Sequence, residues 1–286
     1  LNRDRMDSQT LPFPVIAIDG PAGAGKSTVA RALARRLGFF LLDTGAIYRS
    51  LALHAQRLGI SWQDGPALGA LATTLPIRFG RGPGAEEGKV FLGGQDVTLA
   101  IRSPEISQAA SLVSVHPDVR GALLGLQRML ASTGPCVAEG RDVGTVVLPG
   151  APIKLFMTAS TEVRAQRRFV EQQARGVQGG GAVPGPTQSS PDFQSTLQAI
   201  SERDRRDETR ATAPTRQAED AVLCDTSHMS LDEVIDQVEE LCRVRLNLPR
   251  AIGQDMAGEP SAPRAVAASV ATPIPQLLNR APGTDR

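Results

Sequence analysis

Cysteine, histidine, lysine and aromatic residues are all scarce in this chain, and each scarcity excludes something. Cys136, Cys224 and Cys242 stand far apart with no CxxC pair. They make neither a disulfide framework nor a cysteine-based zinc site, and they suit a reducing cytosol. His54, His116 and His228 are isolated, so each reads as structural or solvated rather than as a ligand or general base. Aromatic content is 3% and the net charge is +1. A nucleic-acid reader would need a basic face with interleaved aromatics, and a membrane surface would need a stronger positive field. No apolar run approaches the ~18 residues of a membrane span. The opening LNRDRMDSQT has no signal-peptide apolar region. The expectation is a cytoplasmic protein, monomeric, with no nucleic-acid or membrane partner. With 286 residues, 41% of them hydrophobic and 21% charged, the chain has ample material for a globular core.

Only three lysines are present, Lys26, Lys89 and Lys154, so the place of the first matters. It stands in VIAIDGPAGAGKSTVARALARRLG, within the pattern Gly20-x-x-x-x-Gly25-Lys26-Ser27. Glycines there permit backbone angles that aim successive N–H groups at phosphate oxygens, and the helix that follows adds its positive end. Gly20, Pro21, Ala22, Gly23, Ala24, Gly25, Lys26, Ser27 and Thr28 are therefore the expected cradle for ATP. Lys26 is placed to reach the β- and γ-phosphates, and the Ser27 hydroxyl to ligate Mg2+. A plain glycine-rich turn before an amphipathic helix would not need the lysine. Val15 to Ile18 read as a buried strand before the loop, and Val29, Ala30, Leu33, Ala34 and Leu37 recur at helical spacing after it.

Further along, FFLL (39–42), PCVAEGRD, PIKLFMTA and AVLCD read as four more buried strands separated by helical stretches. Five such strands imply an α/β fold with a parallel sheet covered by helices on both faces. Ligands then belong at the carboxyl ends of the strands. Residues 63–103 change character: LPIRFG and KVFLGGQDVT look like short strands around a turn-rich RGPGAEEG, and we expect a small β-rich insertion there. SPEISQAASLVSVH and PDVRGALLGLQRMLA read as helices with proline near the start. STEVRAQRRFVEQQARG and FQSTLQAISERDRRDETRA form a further pair. Between them, GVQGGGAVPGPTQSSPD has little to bury and is expected to be mobile. Ser230 and Glu233 form a capping-box pattern before the last helix. Residues 1–12 read as a loose tail and 247–286 as a disordered, Pro/Ala-rich one.

DTGAIYR (43–49), EGRDVGTVVLPG (139–150) and SERDRRDETRA (201–211), set around the P-loop, carry a resemblance. From about Phe13 to Leu246 the chain resembles the bacterial cytidylate kinases, within the nucleoside-monophosphate kinase family. The resemblance implies a P-loop kinase core over 13–246, a nucleoside-monophosphate insertion near 63–103, and an arginine-bearing lid near 164–213. It implies ATP-dependent phosphorylation of CMP and dCMP to their diphosphates. By the same resemblance Arg49, Arg141 and Arg210 grip the CMP phosphate, with Thr44 beside them. Lid residues Arg164, Arg168, Arg203 and Arg206 face ATP or the transferring group. Ser111, Arg120 and Asp142 contact cytosine, and Asp207 the sugar hydroxyls. Thr44 stands where the family commonly has serine, and Glu139 where it often has aspartate.

Read as residues alone, Ser111 fits helix packing as well as a base contact, and Arg120 fits a helix surface. The lid arginines are equally readable as a solvated charge run. The chemistry nevertheless agrees with the resemblance. An acceptor phosphate, with a second pKa of about 6, is already a dianionic nucleophile at neutral pH and needs no general base. The obstacle is repulsion between two polyanions, which Mg2+ and fixed arginines relieve. A shikimate-type kinase would not need the 63–103 insertion or DTGAIYR. A GTP-binding switch would need an NKxD-type guanine motif, which is absent.

Overall fold

The structure is a computed structural model that describes residues 11–81, 86–178 and 192–249. Both expected tails, apart from Leu11, Pro12 and 247–249, and most of the Gly/Pro-rich stretch lie outside the described residues. So does part of RGPGAEEG.

Five parallel strands form the main sheet, in the order β2-β6-β1-β7-β8. They are β1 (Val15–Asp19), β2 (Phe40–Asp43), β6 (Cys136–Glu139), β7 (Ile153–Thr158) and β8 (Val222–Asp225). Val15 pairs with Cys136 on one side of β1, and Ile16 with Ile153 on the other. These strands read as unbroken apolar runs because both faces are covered. The twofold alternation survives in where each face packs. Val15, Ala17, Cys136 and Ala138 point into a core shared with α2 (Thr44–Arg57), α3 (Gly65–Thr73), α4 (Pro104–Val113) and α5 (Pro117–Ala131). Ile16, Ile18 and Val137 point into a second core with α1 (Lys26–Leu37) and α8 (Leu231–Leu246). Ser230 and Glu233 close α8 with the reciprocal cap expected from their spacing.

The 63–103 segment, expected to be β-rich, is part helix. The Asp64 carboxylate accepts from the Ala67 N–H and starts α3, with Pro66 in its first turn. A three-stranded antiparallel sheet then follows: β3 (Ile77–Phe79), β4 (Val90–Leu92) and β5 (Gln95–Asp96). Gly93 and Gly94 join β4 to β5 with φ of 56° and 82°, the mirror-image turn whose twist matches a hairpin.

Helices α6 (Thr161–Gln178) and α7 (Phe193–Thr209) pack together as an arm over the carboxyl edge of the sheet. Phe169 meets Phe193 edge to face, their centroids 6.2 Å apart. Among the described residues no helix is long and apolar enough to cross a membrane.

Candidate active site

Every strand of the main sheet runs the same way, so the loops after β1, β2 and β6 gather at one edge. Gly20 leaves β1 with φ of 142°, and a Cβ there would lie 1.9 Å from the Met157 carbonyl oxygen, so only glycine fits. Gly25 holds a left-handed conformation as the N-cap of α1, with no side chain capping the helix. The first amides of α1 thus face a space suited to an anion. Lys26 folds over this loop and donates to the Pro21 carbonyl at 2.6 Å. Burial, with Arg141 nearby, holds its ammonium well below the usual lysine range. The Ser27 hydroxyl donates to Glu139 Oε2 at 2.8 Å. Burial next to Asp43 pushes the Glu139 carboxyl up to about 7.

Asp19 ends β1 and accepts the backbone N–H groups of Val143 at 2.8 Å and Gly144 at 2.7 Å. Burial raises its pKa to about 6 in spite of those bonds. The bonds anchor a π-helical turn, Val143–Val147, which directs the preceding Arg141 and Asp142 into the cleft. Asp142 pairs with Arg120 from α5, and with Arg210 from the end of α7 at 3.4 Å. Arg120 lies 5.7 Å from the ring centre of Tyr48. Beside them the Ser111 hydroxyl is buried with no hydrogen-bond partner among the described residues, as is Arg120 Nε. Buried polar atoms of this kind call for a partner from outside the chain.

The remaining cations form a band between the two ends. Arg141 donates to Asp207 at 3.0 Å, and Arg203 and Arg210 each come within 3.9 Å of the same carboxylate. Burial alone would raise the Asp207 pKa, but these three guanidiniums outweigh it and hold the group below the usual carboxylate range. Partial burial and Arg141 lower Arg203 to about 10. Arg49 pairs with Asp43 at 2.6 Å. Thr44 donates its hydroxyl to the Glu139 carbonyl at 2.7 Å while lining the cleft.

The result is one continuous cleft of about 820 Å³ running from Ala22–Thr28 to Arg120 and Asp142. Among the described residues, eleven Arg and Lys line it against six Asp and Glu, an excess of positive charge suited to two polyanions. It brings together Thr44, Arg49, Ser111, Arg120, Arg141, Asp142, Arg168, Arg203, Arg206, Asp207 and Arg210. Three expected residues do not line it: Gly20 and Pro21, which shape the loop from behind, and Arg164. Arg164 is turned to protein acceptors, the carbonyls of Ala159 and Ala22 and the Asp204 carboxylate. Ala22 also directs its N–H to Asp204, away from any phosphate.

Sequence reasoning missed four contributors: Glu139 on Ser27, Tyr48 under Arg120, Asp19 as the anchor of the turn, and Arg167. Arg167 lines the cleft beside Gly25 and is fixed by Thr226. Tyr48, the one tyrosine of the chain and part of DTGAIYR, and Glu139, the first residue of EGRD, carried a signal in the sequence.

The donor set fits a magnesium ion. Ser27 and Glu139 offer hard oxygens at the foot of the loop. No group of three or more His, Cys, Asp or Glu among the described residues forms a cage of its own. Such a sparse shell suits an ion that keeps waters and arrives with phosphates.

The cytidylate kinase family model matches residues 16–244. The chain belongs to the cytidylate kinase family. This family member is 48% identical over 226 residues to a cytidylate kinase of Pelotomaculum thermopropionicum, covering 79% of this chain and 94% of the relative. It is 46% identical to a cytidylate kinase of an Exiguobacterium species, covering 79% and 95%. It is 43% identical to a cytidylate kinase of Pseudomonas aeruginosa, covering 80% and 95%. The matched span takes in the P-loop, the helix-and-sheet insertion and both helices of the arm.

Proposed function

We propose that this protein transfers the terminal phosphoryl group of ATP to the phosphate of CMP or dCMP, releasing ADP and the nucleoside diphosphate. One observation carries the reading: a phosphate-binding loop and a buried Arg–Asp–Arg cluster with base-reading chemistry occupy opposite ends of one cationic cleft. All these groups come from one chain, so a single copy suffices.

ATP lies along Gly23–Thr28, with backbone N–H groups and Lys26 on its phosphates. Its approach draws Lys26 from the Pro21 carbonyl and restores the ammonium that burial disfavours. Ser27 and Glu139 would hold Mg2+, which when bound would neutralise phosphate charge and help orient the donor. The acceptor nucleotide puts its base against Asp142, Arg120 and Ser111, its sugar against Asp207, and its phosphate between Arg49, Arg141 and Arg210. An oxygen of that phosphate, already dianionic at neutral pH, attacks the terminal phosphorus in line as the bridging P–O bond to ADP breaks. Arg203, Arg206 and Arg168 on the arm supply positive charge where it is needed as the phosphoryl group crosses. No side chain has to remove a proton.

Cytosine is favoured because Asp142 can accept its exocyclic amine while Arg120 donates to ring acceptors. The test is ATP-dependent ADP release with CMP, dCMP, UMP, AMP, GMP and shikimate as acceptors, with and without Mg2+. CMP or dCMP should give the highest kcat/KM. Turnover that is fastest with shikimate, or hydrolysis indifferent to the acceptor, would refute the reading.

A further inference from the structure

Both helices of the arm hydrogen-bond to the P-loop at Ala22. Its N–H is accepted by Asp204 Oδ1 at 3.2 Å, from α7. Its C=O accepts from Arg164 Nη1 at 3.0 Å, from α6. Arg164 and Asp204 pair with each other, so the three groups close a ring around one stretch of backbone. Arg164 is tied down further, through Nε to the Ala159 carbonyl at 2.9 Å and through Nη2 to the Thr161 hydroxyl at 3.0 Å. Its side chain is 7% exposed and that of Asp204 10%, and neither lines the cleft. The loop lies directly on α6 here: a Cβ on Gly23 would sit 3.0 Å from the Arg164 Cβ.

We infer that Arg164 and Asp204 are positioning residues whose ion pair grips both polar groups of Ala22 and ties the phosphate-binding loop to the arm. An apolar pair of the same volume could fill this space without burying charge, but it would leave the backbone donor and acceptor of Ala22 without these partners. Gripped at Ala22, the loop keeps the N–H groups from Gly23 onward aimed at the donor site before ATP arrives. The arm arginines that line the cleft are thereby set in register with that loop. This inference rests on the ATP-binding role of the loop proposed above.

Asp204→Asn tests it at constant volume. An amide has one acceptor oxygen: it can face Ala22 N–H or Arg164, but it cannot serve both as the carboxylate does. Steady-state kinetics with ATP and CMP varied separately should show kcat/KM for ATP falling on the order of 10²-fold, as for a misplacement of about 1 Å. The KM for CMP should stay within about twofold, because the acceptor end does not touch the clamp. Wild-type enzyme in the same assay separates the two claims. A wild type inactive with CMP overturns the proposed function, whereas an active wild type with an unchanged variant overturns only the clamp. Equal rises in both KM values would also overturn it, pointing to general loosening.

Should Asp204→Asn fail to fold, the double variant Arg164→Met with Asp204→Leu removes the clamp without leaving a buried unpaired charge, and the same split in KM is expected. Amide exchange in the wild type decides independently of any variant. The Ala22 N–H should be protected without ATP and unaffected by it, and the Lys26 and Ser27 amides should gain protection when ATP is added. An Ala22 amide that exchanges freely in the ATP-free protein would overturn the inference.

Discussion

Replacing Asp142 with asparagine should turn the base preference away from cytosine, for a reason visible in the contacts of its two oxygens. Oδ2 is taken by Arg120, while Oδ1 makes only the longer contact to Arg210, at 3.4 Å. Oδ1 therefore keeps capacity for a further donor, such as the cytosine exocyclic amine. In Asp142→Asn the amide nitrogen cannot face the Arg120 guanidinium, because both groups only donate. Arg120, the nearer of the two guanidiniums, thus favours one orientation of the amide: oxygen toward Arg120, nitrogen toward the base and the more distant Arg210. The variant then opposes an NH2 group to the cytosine amine and offers a donor to O4 of uracil.

A correct base-edge pairing is worth about 1–3 kcal/mol. The CMP-over-UMP ratio of kcat/KM should shrink by about 10- to 100-fold, a change of about 1.4–2.8 kcal/mol in relative transition-state stabilisation. Lost neutralisation of Arg120 and Arg210 will lower activity with both nucleotides, so the ratio, not the rate, is the measurement. Most of the change should come from poorer CMP turnover. Initial rates with each nucleotide at saturating ATP give the answer. Equal losses for CMP and UMP would refute the base-reading role and leave Asp142 a counter-ion for two arginines.

Lys26→Ala should lose at least about 10²-fold in kcat, the worth of one preorganised charge-stabilising donor. Its melting temperature should stay close to wild type, since among the described residues the Lys26 ammonium hydrogen-bonds to the neutral Pro21 carbonyl and closes no ion pair; near-native turnover would remove the P-loop from the mechanism. ATP binding should take up protons in alkaline buffer, where burial and Arg141 leave part of Lys26 neutral and the phosphates favour its ammonium. Calorimetry in buffers of different ionisation enthalpy checks this, and no net uptake would refute it. Glu139→Gln should lose activity yet gain on wild type in stability as pH rises. Folded Glu139 titrates at about 7 against 4.5 for the ordinary group, so its contribution is intact below about 4.5 and lost as pH rises through 7. The gap between variant and wild type should widen over that window by up to about 3 kcal/mol. Denaturant unfolding of the ATP-free protein at pH 5 and pH 8 measures it, and an unchanging gap would contradict the burial of an ionisable Glu139.

The main sheet was legible because its strands are short unbroken apolar runs, and the P-loop because its spacing has a mechanical reason. Helix α3 was not legible: GPALGALAT is nine residues of small and apolar types, which helical and extended periods fit equally well. The arm shows a sharper limit. Arg164, Arg167 and Arg168 lie within five residues on one helix, and spacing alone does not say which of them faces the cleft. Packing decides it: α6 presents Arg167 and Arg168 to the cleft and Arg164 to Ala22. Arg120 and Ser111 stood open between surface and site for the same reason. The α4 and α5 helices bury both beside Asp142, where Ser111 Oγ has no partner among the described residues.

The arginines proposed to meet the acceptor phosphate are not idle in the free protein. Arg49 is held by Asp43, Arg141 by Asp207, and Arg210 by Asp142 together with the Ala213 carbonyl at 2.6 Å. Each pairing lowers the repulsion among crowded guanidiniums and fixes a long side chain before the ligand arrives, so less rotamer freedom is lost on binding. The same pairing has a cost, because a phosphate must share each guanidinium with a carboxylate. Geometry limits that cost. A guanidinium carries five N–H donors, and the pairing to Asp207 engages the Arg141 Nε while its Nη1 reaches only the Gly140 carbonyl, at 3.3 Å. The carboxylates thus orient the forks without exhausting them. With cations outnumbering carboxylates along the cleft, the donor and acceptor phosphates complete a charge balance that the protein alone leaves unfilled.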